Sequence, residues 1–393
     1  MPDAVPWTFS AGGATSERLE WLTDVLPAHT GPEQHRRLRE APRMVISFDT
    51  VESGDSRRAM ETLLIANGAD GWLAPLWPDA SPLTSDWMAG SPGNTLAVDT
   101  TLRRFAVGRW VLLLGADHRT FDVGEVVSLS DGSLELAEGP ASSWPAGTLV
   151  VPLVRARFEA MPSLSRFTGD DAPVRVAFHS DEPVDWPEDP GAAEYRSLPV
   201  IEHRPSGMGD PSWTPERQLN RVDAGSGPVT VYDTVGIALP DWTAPYVLIG
   251  LPEIAAFRSL LYALAGRWGM AWVPTWANDL RVTAALASAS TLLDVAWTGL
   301  SEWPLQANRR DIRIELRNGA VLYRRVTAAA AHGAGERLSL DAAHGVDAAS
   351  EDVLQVSFLM LARQDTDVNL LRYWRHDVVE TELRFKGVLD DGV

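Results

Sequence analysis

One pattern occurs twice in this chain and limits its fold more than any other. Across residues 253–279, Ile254, Phe257, Leu260, Leu261 and Leu264 recur at the i, i+3, i+4 spacing of a helix with one buried stripe. Gly266 stands where such a helix stops, and Met270, Trp272, Pro274 and Trp276 then alternate as in an extended run whose indoles leave on one side. Residues 56–79 repeat the order: an apolar-striped helix, a glycine stop, then Trp72, Pro75, Trp77 and Asp79. A self-similar stretch of this length implies a repeated supersecondary unit.

The flanking residues keep step with that repeat. Met44–Val51 reads as a strand, and after the first tryptophan motif short strands are expected at 96–98, 110–114, 125–129, 133–136 and 149–158, with 174–178 following. The second series is expected at 229–235, 312–316, 321–326, 336–340, 353–361 and 379–385, the pair Arg166–Phe167 matching Arg372–Tyr373. Matching 229–235 to 45–51 puts the main insertion between 236 and 252. Gly, Asp, Ser and Pro separate these runs, as antiparallel β structure requires. The expected fold class is α+β, mainly antiparallel β, as two tandem copies of a barrel- or sandwich-like β-rich unit, each with a short amphipathic helix. The units are 1–55 as an N-terminal arm and first strand, 56–183 as the first repeat, 184–228 as a Pro/Gly-rich connector anchored by Trp186 and Trp213, and 229–393 as the second repeat.

Charge and composition narrow the function. With 53 acidic against 34 basic residues, the net charge of −19 argues against a phosphate-binding face, so no nucleic-acid partner is expected. The absence of cysteine excludes disulfides and thiolate chemistry. No apolar run approaches the ~20 residues of a membrane-spanning helix, and Met1–Trp7 lacks the basic and apolar regions of an export signal.

Candidate sites are few. The sixteen tryptophans suit either packing and subunit contacts or a flat platform for sugars. Trp72, Trp77, Trp272 and Trp276, at matched places, favour the former. Asp170–Asp171, Asp181–Glu182, Asp189, Asp390–Asp391, Asp79 and Asp279 offer carboxylates, but beside Pro or Gly they read as solvated turn positions and not a glycosidase pair. The histidines at 35, 118, 179, 203, 332, 344 and 376 have no metal-ligand spacing, and no Walker, Rossmann or nucleophile-elbow motif is present. Arg309, Arg310, Arg324 and Arg325 bracket two strands and suit either contacts to a neighbouring chain or exposed strand ends. No catalysis, cofactor or metal is expected.

Leu19–Val25 followed by Gly31–Arg43 resembles the opening of tail-tip proteins from long-tailed bacteriophages and gene transfer agents. Gly266–Arg267, Trp272–Trp276, Asp279–Leu280, Arg309–Ile312, Tyr323–Thr327 and Ser357–Arg363 are similar to distal-tail or baseplate proteins of the same particles. The resemblance implies a structural subunit at the virion tail tip, assembled in the host cytoplasm. It implies a ring, either a hexamer or a trimer with pseudo-sixfold symmetry, between the tail tube protein and the hub or receptor-binding apparatus. The competing expectation is a carbohydrate-binding module, for cell-wall or host glycans, that uses tryptophan platforms.

Overall fold

The computed structural model describes residues 4–28, 32–67, 71–91, 93–166, 168–206, 209–303 and 305–389. Gly31, Phe167 and Asp390–Asp391 lie outside them. Antiparallel strands make up most of the molecule, with two α-helices.

The first half runs Val5–Pro6 (β1), Thr15–Glu20 (β2), Thr23–Pro27 (β3), Glu33–Arg37 (β4), Arg43–Ser53 (β5), helix Gly54–Ala66 (α1) and Trp72–Pro75 (β6). It continues through Ser81–Pro82 (β7), Thr95–Ala97 (β8), Trp110–Leu114 (β9), Phe121–Ser130 (β10), Ser133–Leu136 (β11), Leu149–Phe158 (β12) and Asp171–Ser180 (β13). Glu194–Tyr195 (β14) and Leu198–Pro199 (β15) form a small link. The second half has Ser212–Glu216 (β16), Leu219–Val222 (β17), Thr230–Asp233 (β18), Leu239–Ile249 (β19), helix Leu251–Leu264 (α2) and Ala271–Pro274 (β20). Leu292–Ala296 (β21), Asp311–Leu316 (β22), Val321–His332 (β23), Gly335–Leu340 (β24), Val353–Gln364 (β25), Val368–Arg375 (β26) and Val378–Gly387 (β27) complete it.

Each half strings its strands together in one order. In the first, β2 pairs with β5, β5 with β13, and β13 with β12; β12 also holds β6 and β9, and β9–β10–β11–β8 follow. In the second, β16 pairs with β19, β19 with β27, and β27 with β25; β25 also holds β20 and β22, and β22–β23–β24–β21 follow. Even irregularities recur, since the ladder shifts between Val126 and Ser128 in β10 and between Val326 and Ala328 in β23. Val5 runs parallel to Trp72, and Val200 runs parallel to Trp272.

The halves are stitched together by β2. Its Ser16 faces Ser47 of β5 on one side and Arg372 of β26 on the other. Beneath this seam lies a single core, in which Trp7, Phe48, Trp72 and Phe178 of the first half join Tyr246, Phe257 and Phe385 of the second. Trp7 meets Trp72 edge-on at 5.7 Å and Phe178 at 5.5 Å, the geometry favoured by aromatic quadrupoles. Each half adds an outlying lobe, around Leu96, Val111 and Leu136 in one and Leu293, Ile312 and Leu340 in the other.

The helices differ in a way their sequences understate. α1 buries one stripe, Arg57, Met60 and Leu64. α2 was expected to do the same, yet Arg258, Ser259 and Tyr262 are buried as well as Ile254, Phe257 and Leu261, because α2 sits at the seam and is covered from both halves. It ends through Ala265 and Gly266, both with positive φ, and at Gly266 an added Cβ would lie 3.0 Å from the Asp367 Cα.

Two local expectations need correction. The counterpart of β5 is β19, which runs directly into α2 as β5 runs into α1, so 229–235 is not that strand and 236–252 is not the main insertion. Residues 230–233 belong instead to the exposed β17–β18 pair. Nor do the paired tryptophans share one strand face: β6 and β20 end at Pro75 and Pro274, Trp77 opens a 3-10 turn, and Trp276 has φ +53°.

Candidate functional site: a buried charge cluster and an open strand edge

The most concentrated polar chemistry lies at the seam. Glu17 faces inward because β2 alternates, with Thr15, Glu17 and Leu19 on the buried side. Asp79 closes the 3-10 turn that follows β6, Arg104 comes from the loop before β9, Arg258 projects from α2 and Tyr373 from β26. All five are buried. Arg258 Nη1 donates to Asp79 Oδ1 at 2.8 Å, and its Nη2 donates to the Tyr373 hydroxyl at 2.7 Å and lies 3.3 Å from Glu17 Oε2. Tyr373 in turn donates to Glu17 Oε2 at 2.9 Å. Arg104 completes the set with a short bond to Glu17 and a 3.4 Å contact to Asp79. The ring of Trp186 faces both guanidinium groups, 5.1 Å from Arg258 and 5.6 Å from Arg104, while its Nε1 donates to Ser259 Oγ at 3.1 Å.

Electrostatics assign this cluster a holding role. Burial works to raise the Glu17 carboxyl, but Arg104 and Arg258 outweigh it and bring the group down to about 2. Burial and the neighbouring Glu17 push Tyr373 up, despite the two arginines. General acid–base work needs a group that titrates near the operating pH. Glu17 and Tyr373 are driven away from that range in opposite directions, so the charges of the cluster stay paired near neutral pH. Two cations and two carboxylates compensate one another where β2, α2 and β26 meet the first half's 3-10 turn. A cavity of about 330 Å³ borders it, lined in part by Leu76, Phe105, Val184 and Trp186.

Sequence reasoning missed this cluster. Asp79, expected as a solvated turn residue, is almost fully buried. The usable signal was Glu17 on the apolar face of an alternating strand, together with Arg258 in an otherwise apolar helix.

The expected site residues are scattered. Trp72 lies in the central core, and Trp272 packs with Tyr195, Val200 and Leu361 while its Nε1 donates to the Tyr195 carbonyl at 2.9 Å. Trp77 and Trp276 are half-buried, and the Trp276 ring is approached by Arg204 at 4.7 Å and by Arg313 at 4.8 Å. Arg309 lies over Phe358 at 4.4 Å and over Trp213 at 5.6 Å. Arg324 donates to the carbonyls of Ala343 and His344, and Arg325 forks onto Asp311 at 2.8 and 3.1 Å. The backbone carbonyl of Arg310 accepts from Val326. Arg324 and Arg325 thus find their partners within the chain.

Two other features stand at the surface. Loop 297–303 presents Trp297 and Trp303, 54% and 62% exposed, with ring centroids 6.1 Å apart at 60°. The loop is held from below by Glu336, whose carboxylate accepts from the backbone and hydroxyl groups of Thr298 and Ser301; these bonds outweigh its burial and bring it to about 2. The other feature is β16, which pairs with β19 along one edge while all five of its residues are exposed.

Among the described residues no group of three His, Asp or Glu side chains is placed to hold a metal, and no helix is long and apolar enough to cross a membrane. Compared with protein-family models and with curated proteins, the chain matches none.

Proposed function

We propose that this chain is a structural subunit of a bacteriophage tail tip or baseplate. In this reading it contains two tandem copies of one folding unit, roughly 1–183 and 195–393, and acts by assembly into a ring, joining the tail tube to the hub or receptor-binding apparatus. The carrying observation is the seam: β2 is shared between β5 of one half and β26 of the other, and a buried charge cluster pins the same junction. A rigid head-to-tail joint between like units is the element from which rotation builds a closed ring. The acidic charge and the sequence resemblance support the same reading.

The test is the mass and shape of the purified chain, by light scattering and electron cryomicroscopy, alone and with a tail tube protein. Rings of three chains with six similar lobes, or of six chains, are expected. A chain that stays monomeric at about 100 μM, with or without the tube protein, overturns the proposal.

Trp297 and Trp303 favour a second reading, glycan recognition, because exposed indoles on a braced loop stack on sugar faces. Saccharide-dependent fluorescence that vanishes in Trp297→Ala would support it; unchanged fluorescence across cell-wall oligosaccharides would remove it.

A further inference from the structure

The seam inside the chain has a counterpart in each half that carries fewer partners among the described residues. β16 meets β19 in the register that β2 uses on β5: Ser16 faces Ser47 and Glu20 faces Arg43, as Ser212 faces Thr243 and Glu216 faces Leu239. The antiparallel pair β3–β4, with Thr23 opposite Arg37, follows β2 at the same distance as β17–β18, with Leu219 opposite Asp233, follows β16. On its second edge, however, β2 carries β26, whereas among the described residues β16 pairs only with β19. The β17–β18 pair is exposed throughout and displays Leu219, Val222, Val231 and Tyr232.

The complementary surface is on the first half. Where the second half has β26, the first has residues 161–166, tied to β13 by the single bridge Leu164–Val174. The outer face of α2 is closed by Trp186, which bonds Ser259, and by Val184 and Trp21, which touch Tyr262. The corresponding face of α1 is open. Its Glu61, Leu64 and Ile65, with Met161, Leu164 and Arg166, line a groove of about 770 Å³, and Ile65 is 86% exposed.

We infer that these two surfaces meet between copies of this chain: β16 and the β17–β18 pair of one copy close over residues 161–166 and α1 of the next, repeating between molecules the β2–β26 seam within each. This rests on the tandem-unit reading above and gives it a partner and a register. Carrying the internal pairing across places Ser212 opposite Ser165 and Trp213 opposite Leu164. Pro162 and Pro215 lack N–H donors, so the contact relies on apolar side chains more than on a full ladder. The contact is heterologous and therefore propagates until it closes.

The chain has no cysteine, so introduced thiols report cleanly. A 1:1 mixture of Ser165→Cys and Ser212→Cys chains should give a disulfide-linked heterodimer on mild oxidation, because facing residues of antiparallel strands are within disulfide reach. The double variant should give covalent ladders, and Ser16→Cys/Arg372→Cys, which spans the internal seam, should give an intramolecular bond as the control. Ile65→Asp should weaken self-association at least about tenfold, since it puts a charge into an apolar contact at a side chain that is 86% exposed in the single chain. Oligomers that form without the 165–212 bond and ignore Ile65→Asp would overturn this interface and leave the ring reading standing. Covalent ladders that grow only into open filaments would support the interface and overturn the ring. A monomer that gives no heterodimer would remove both.

Discussion

Arg258 of α2 and Asp79 of the first half's 3-10 turn meet at 2.8 Å, 179 residues apart in sequence and both shielded from water. Neither charge would be tolerated there alone. Removing one member of such a buried pair strands the other, which costs about 3–5 kcal/mol. Arg258→Ala should therefore lower the unfolding free energy by about that much, read from the urea midpoint, whereas an exposed control, Arg175→Ala, should change it by less than about 0.5 kcal/mol. Equal effects would show that the cluster holds nothing.

Acid should dissolve the same junction. The Glu17 carboxyl protonates at about 2 in the folded chain against an ordinary 4.5, so the unfolded chain takes up that proton at the higher pH. Its stabilisation is complete above about 4.5, declines as the pH falls toward about 2, and is on the order of 3 kcal/mol. Urea midpoints between pH 6 and 3 should fall for the natural chain and fall less steeply for Glu17→Gln.

Trp72 and Trp272 should behave alike under truncation despite lying in different clusters. Each is fully buried, so Trp72→Ala and Trp272→Ala should each cost roughly 3–5 kcal/mol, measured by chemical denaturation. Trp374→Ala, at an exposed position of β26, should cost less than about 1 kcal/mol.

The loop carrying Trp297 and Trp303 should depend on a residue that never reaches the surface. Glu336→Ala removes the carboxylate that accepts from Thr298 and Ser301, so the indole pair should lose its fixed geometry while the core stays intact. Near-ultraviolet circular dichroism should lose the signal of the coupled indoles with little change in the far-ultraviolet. Gly299→Ala should do the same by another route, because its φ of +85° disfavours a side chain and an added Cβ would collide with the Trp303 ring.

Much of the architecture was legible because its signals are local. The i, i+3, i+4 spacing of α2, the runs at 110–114, 133–136 and 149–158, and their Gly and Pro boundaries each concern a few neighbouring residues. β19 was not read as a strand, because Pro240 and Pro245 disguise the alternation of Trp242, Ala244, Tyr246 and Leu248. Pro240 is tolerated opposite Pro215 of the short strand β16, where no ladder donor is asked of either residue. The similar ending of Val229–Val235 therefore drew the match to the wrong segment.

The sequence alone determined that the chain is mainly antiparallel β and where many of its helices and strands lie, since these follow from periodicity and turn chemistry. Tertiary structure decided that α2 is buried well beyond one stripe, that β2 is shared, and that Glu17, Asp79, Arg104, Arg258 and Tyr373 converge. Those outcomes depend on charges and surfaces brought together from positions up to 356 residues apart, where no spacing along the chain encodes the distance in space.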